Sequence, residues 1–115
     1  MANREDQVKA LANETRIEIL RLLDEPIKHF GGQKSADPVT TGVCVQLIAE
    51  HFGVSQPTMS RHIELLRRAG LITTKRQQKW TYCSRNEAAL ADYASWLRQS
   101  LNIKDADVTD ISARK

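Results

Sequence analysis

The chain has 115 residues, 41% hydrophobic and 27% charged, which suits one globular domain with a modest core and leaves no room for two comfortable ones. No apolar run nears the roughly 20 residues that span a bilayer, and MANREDQVKA, acidic from residue 5 with no apolar stretch behind it, is unlike a signal peptide. A cytoplasmic protein is expected, without a membrane partner and with Cys44 and Cys83 as reduced thiols at rest. The net charge of +3 is unevenly spread: residues 1–54 carry −2, residues 55–85 carry +6 with Glu64 as their one acidic side chain, and residues 86–115 carry −1. Positive charge gathered in one stretch is the footprint of phosphate contacts.

Arg4 to Ala12 reads as a short helix with Val8 and Leu11 apolar. Asn13 can cap a second helix whose buried side holds Ile17, Leu20 and Leu23, with Ile19 and Leu22 beside them. So broad an apolar face predicts a central core element, ended by Asp24-Glu25-Pro26. Residues 26–42, with two prolines, three glycines and no sustained period, predict an irregular loop, longer than compact domains usually tolerate without a reason.

From Val43 to Gly70 the pattern becomes informative. Leu47, Ile48 and Phe52 mark a short helix; Gly53 supplies a turn; Ser55 is a good N-cap and Pro57 fits the first turn of a second helix. Met59, Ile63 and Leu66 recur at helical spacing, with Leu65 widening the stripe, while Gln56, Thr58, Ser60, Arg61, Glu64 and Arg68 lie opposite and Gly70 closes the helix. Two helices joined this way form either a plain αα-hairpin or a helix-turn-helix that lays its second helix in the DNA major groove. The Gln, Thr, Ser and Arg face favours the second reading, since a merely solvated helix more often carries Glu/Lys pairs.

Leu71–Arg76 and Lys79–Ser84 read as a basic two-stranded hairpin, with Gln77-Gln78 at a turn that neither residue suits and whose tip is therefore expected to be wide. Glu87 to about Asn102, capped by Asn86, is a last helix with Leu90, Tyr93, Ala94, Leu97 and Leu101 on one side and Trp96 nearby, an apolar face suited to covering a partner. The tail from Ile103 to residue 115 is polar and expected to fray. The assembled order is mainly α (α+β): a winged helix-turn-helix over residues 1–115.

ALANETRIEILRLL at residues 10–23, IAEHFGVSQPTMSRHIELLRRAGLI at 48–72 and KWTYCS at 79–84 resemble the ArsR/SmtB family of winged-helix bacterial transcriptional repressors, over roughly residues 8–100. The resemblance implies a homodimer through the first and last helices, reading a palindromic operator on double-stranded DNA and releasing it to an inducer. By position it places Ser55, Gln56, Thr58, Ser60, Arg61 and His62 in the DNA-reading stretch. Arg61 can contact guanine bidentately and Gln56 can pair with adenine. Lys75, Arg76, Gln78 and Lys79 are the wing's candidates for phosphate. His62 lies beside Ile63 and has an alternative as a packed helix-edge residue; Arg67 and Arg68 have one as plain solvated charges.

The resemblance does not extend to a metal sensor. Metal-sensing members carry Cys-Val-Cys at the start of the third helix, because soft thiolates select As(III), Cd(II) or Zn(II); here the run is Val43-Cys44-Val45. The last helix lacks histidine, and His29, His51 and His62 show no ligand-like spacing, so no metal and no cofactor are expected and the inducer is unknown. Cys44, at a helix start where the dipole favours thiolate, and Cys83 are candidates for a redox or effector switch, with two small buried hydrophobes as the alternative. A winged-helix module that binds protein instead of DNA is the rival class, which the concentration of basic residues disfavours. An enzyme is not expected, since no catalytic constellation or phosphate-cradling loop is present.

Overall fold

A computed structural model describes residues 3–105. Helices α1 (Arg4–Leu11), α2 (Glu14–Asp24) and α6 (Glu87–Ser100) each start at an asparagine whose side chain accepts a backbone N–H of the first turn: Asn3 from Asp6 at 2.8 Å, Asn13 from Arg16 at 3.1 Å and Asn86 from Ala89 at 3.1 Å. Between α2 and α6 run α3 (Pro26–Phe30), β1 (Val43–Cys44), α4 (Val45–Phe52), α5 (Gln56–Arg68), β2 (Ile72–Gln77) and β3 (Trp80–Arg85). The antiparallel sheet is ordered β1-β3-β2.

One apolar cluster joins these elements. Ile19, Leu20, Leu22 and Leu23 of α2 meet Ile48 and Ala49 of α4, Met59, Ile63 and Leu66 of α5, and Val43, Leu71, Ile72 and Cys83 around the sheet. Each fully buried aliphatic side chain contributes about 1.5–3 kcal/mol, so α2 is the central support that its sequence predicts. Ile17, expected on the buried side, is instead 39% exposed. The first helix also turns differently from its apolar pattern: Gln7 and Ala10 are buried, Leu11 is half-buried and Val8 is 44% exposed. Gln7 earns its interior place by donating from Nε2 to the carbonyl of Ala69 at the end of α5, 3.2 Å away.

Residues 26–42 are more structured than a loop. Pro26, at the first helical position, opens the five-residue α3, which buries Phe30. Beyond it the Gln33 side chain donates to the carbonyls of Ala36 (2.8 Å) and Gly42 (2.9 Å) and accepts the Cys44 N–H (2.8 Å). The Asp37 carboxylate accepts from Val39 and Thr40, and the Tyr82 hydroxyl donates to Ser35 Oγ at 2.9 Å. The segment is thereby tied to both β1 and the sheet.

Two further details differ from the sequence pattern. Val43 and Cys44, expected to open a helix, form a third strand paired with β3, Val43 opposite Cys83 and Cys44 opposite Tyr82. The hairpin closes on Gln77 opposite Trp80, so its turn is Gln78-Lys79, one residue later than expected and only two residues long. Gln78 takes φ +54 to close it, a left-handed conformation that costs a non-glycine residue about 1–2 kcal/mol. The part of the tail from residue 106 onward lies outside the described residues.

Candidate nucleic-acid interface

The corner between α4 and α5 is built by hydrogen bonds at the end of α4. Gly53 N–H reaches the Glu50 carbonyl and Val54 N–H the Ala49 carbonyl, both at 3.1 Å, and Gly53 sits at φ +67, where any Cβ would be strained. Ser55 then starts α5 by accepting the Thr58 N–H (3.3 Å), and its hydroxyl donates to Thr58 Oγ1 at 2.9 Å. With Met59, Ile63 and Leu66 facing the core, Gln56, Thr58, Ser60 and Arg61 are left exposed on one side of the helix. Gln56, Ser60 and Arg61 spend no side-chain hydrogen bond on the described residues. Ser55 and Thr58 satisfy each other, which suits them to shaping the cap more than to reading bases.

His62 is placed differently from these neighbours. It is half-buried, and its Nδ1 lies 3.1 Å from Nη1 of Arg16. A guanidinium can only donate, so Nδ1 is the acceptor and the imidazole is neutral. The same guanidinium donates to the carbonyls of Ala10 (2.6 Å) and Lys9 (3.3 Å), so Arg16 joins the end of α1 to the recognition helix. Burial first, then the positive charges of Arg16 and Arg61, hold the His62 pKa below its ordinary 6.5. The unfolded chain therefore binds a proton that the folded chain refuses. Stability is expected to be level above pH 6.5 and to decline as the pH falls below it through the folded pKa. Urea titrations across that range should show the decline, and the acid-side slope should shrink in His62→Asn; an unchanged slope would remove His62 as its source.

Lys75, Arg76, Gln78 and Lys79 are all exposed on the wing. Lys79 Nζ lies 5.1 Å from the centre of the Trp80 ring, a contact that orients the tip cation. Arg67 and Arg68 instead converge on Glu64, with Arg67 forking onto its carboxylate at 2.8 and 2.6 Å and Arg68 at 3.2 Å. Their hydrogen bonds, Arg67's foremost, hold the Glu64 carboxyl down at about 2. These two arginines are partly neutralised locally, whereas Arg61 and the wing cations have no acidic partner among the described residues.

Both candidate switch cysteines are buried. Cys44 occupies the residue before α4 and makes no capping hydrogen bond; Cys83 lies in the core on β3. Burial, with the neighbouring Cys44 as a smaller contribution, pushes the Cys83 thiol up to about 12, so it stays protonated and a poor nucleophile. His29 and His51, 22 positions apart, come together once α3 forms, their rings edge to face with centroids 6.5 Å apart. Sequence spacing alone could not find that pair. Among the described residues, no three His, Cys, Asp or Glu side chains converge to hold a metal ion, and no helix is long and apolar enough to cross a membrane.

Residues 11–75 match the sequence model of a family described as a helix-turn-helix domain. An uncharacterized HTH-type transcriptional regulator, YbzH of Bacillus subtilis (strain 168), is 41% identical over 93 residues, covering 81% of this chain and 93% of that protein. The transcriptional repressor SdpR of the same organism is 33% identical over 100 residues, covering 87% and 94%. Among solved structures, a homodimeric winged helix-turn-helix DNA-binding domain of Mycobacterium bovis, described as a possible ArsR-family regulator, is 25% identical with a TM-score of 0.56, covering 90% of this chain and 81% of that one. The motif run, the winged architecture and relatives aligned over most of their length agree: the chain belongs to the ArsR/SmtB family of winged helix-turn-helix transcriptional regulators.

Proposed function

We propose that this regulator is a cytoplasmic homodimeric repressor that holds a palindromic operator with two α5 helices and two wings. The observation that carries the reading is the exposed Gln56–Ser60–Arg61 face of α5, with Arg61 unpaired among the described residues and the basic wing following α5 in the chain. Such a face can read base edges while the wing cations set register on phosphates. Repression is supported by the repressor named among the relatives, and dimerisation by the homodimeric winged-helix domain. Exposed apolar side chains on α1 and α6 supply a surface for it. Ser55, Thr58 and His62 act in this scheme by shaping and seating the helix.

Release falls to an inducer and not to cysteine oxidation, because a thiol buried like Cys83 is shielded from oxidants and held protonated. No metal is required in this reading.

The test is fluorescence anisotropy on DNA from upstream of the protein's own gene, with random DNA as competitor. Arg61→Ala should lose about 1–3 kcal/mol on the operator and much less on random sequence. Equal losses on both would overturn its base-reading role, and no preference for the operator by the unmodified protein would overturn the repressor reading. Lys79→Ala should lower affinity on every sequence and reduce the slope of log K against log salt by about one. An unchanged slope would remove Lys79 from the phosphate contacts.

A further inference from the structure

Between α3, the tied segment after it, α4 and the tip end of β3 lies a cleft of about 560 Å³. That volume falls in the range of small-molecule sites, about 300–1,000 Å³. Its walls are aromatic: His29 and Phe30 come from α3, His51 from α4 and Trp80 from β3. The Phe30 and His51 ring centroids are 5.7 Å apart at 60°, and His29 meets His51 at 81°, so π faces and edges already stand in a fixed arrangement. Lys34 and Glu50 stand at the rim, and neither has an ionic partner among the described residues.

The cleft is held open by bonds made elsewhere. Gln33 commits its amide to Ala36, Gly42 and Cys44, and Ser35 accepts from Tyr82, so the wall carrying Lys34 is fixed to the sheet without filling the space. The exposed rings of His29 and His51 and the half-buried Trp80 gain by burying a flat partner, and a charge of each sign at the rim can orient its polar edge.

We propose that this cleft binds a small planar aromatic molecule bearing polar groups on its edge, and that occupancy changes DNA affinity. This rests on the DNA-binding reading above. The coupling is geometric: the cleft is lined both by α4, the first helix of the helix-turn-helix, and by Trp80, adjacent to Lys79 at the wing tip. A ligand spanning the two sets the angle between the wing and α4, to which the recognition helix α5 is joined at the Gly53 corner.

The experiment uses free protein carrying Trp96→Phe, which leaves Trp80 as the sole tryptophan. Quinoline, salicylate and 4-aminobenzoate are titrated by NMR, with cyclohexanecarboxylate as a non-planar control. Saturable shifts in His29, His51 and the Trp80 indole are expected from the planar probes alone. His51→Ala, an exposed position with little bearing on folding, should weaken that binding by about tenfold through its lost ring contact. Absence of saturation at millimolar probe, shifts scattered away from these residues, or equal binding of the control would overturn the site. DNA anisotropy is then repeated with and without saturating probe. Operator affinity that responds to the probe supports the coupling, and affinity indifferent to a bound probe overturns it. Failure of the probe-free protein to prefer its operator would instead strike the DNA-binding reading, while the titration on free protein still decides the cleft.

Discussion

Gly42→Ala is expected to lower folding stability by about 3–5 kcal/mol, from backbone strain and steric overlap together. Gly42 has φ +114, a region closed to side chains, and a Cβ built there would lie 2.7 Å from the Cys83 carbonyl oxygen, 3.0 Å from its carbon and 2.8 Å from Ser84 Oγ. Ser84 Oγ can rotate away, but the Cys83 atoms are backbone of the central strand and cannot swing aside. Gly42 also accepts the Gln33 amide through its carbonyl and immediately precedes β1, from which α4 starts. Displacing it would detach β1 from β3 and loosen the first helix of the helix-turn-helix. Urea unfolding followed by circular dichroism measures the effect, with Gly32→Ala as control, since a Cβ there meets nothing within 4 Å. A loss below about 1 kcal/mol at Gly42 would show that β1 can shift without consequence.

Elements set by local signals are legible in the sequence, and those set by distant contacts are not. Helix α5 is legible because 13 residues carry a sustained apolar period, an N-cap serine and a closing glycine, all local signals. The two long wing strands follow for the same reason. The structure of β1 is not legible: two residues have no period, and their pairing with Cys83 and Tyr82 depends on a chain segment some forty positions later. Helix α3 is invisible because five residues cannot sustain a helix alone, and it persists by seating Phe30 in the core. The His29–His51 pair and the cleft depend on that placement in turn. In α1 the apolar pattern points outward because the interior position is taken by Gln7, whose amide finds the carbonyl of Ala69. For His62 the residues leave two roles open; the structure brings Arg16, 46 positions away, onto its Nδ1.

The apolar surface that the protomer leaves uncovered carries the second large effect. Helix α6 has no fully buried residue: Tyr93, Trp96 and Leu97 are half-exposed, and Leu101, capping its end, is 65% exposed. Arg4 of α1 reaches across to Asp92 at 2.9 Å and stands 5.2 Å from the Trp96 ring, so the two helices present one continuous face to which Val8 adds. Leu90, Tyr93, Leu97 and Leu101 follow helical spacing along it. Leu97→Asp should leave the protomer folded, because the position is already partly in water there. In the proposed dimer it would bury an unpaired carboxylate, which costs several kcal/mol. The expected result is a monomer by sedimentation velocity with an unchanged far-ultraviolet spectrum. Operator affinity should fall on the order of 10²–10⁴-fold as two linked half-site contacts become independent. Ser95→Asp, exposed on the same helix, should change neither. A Leu97→Asp protein that still sediments as a dimer would place the interface on another face. A monomer that still held the full operator tightly would mean that a single α5 and wing suffice, and the palindrome would lose its physical reason.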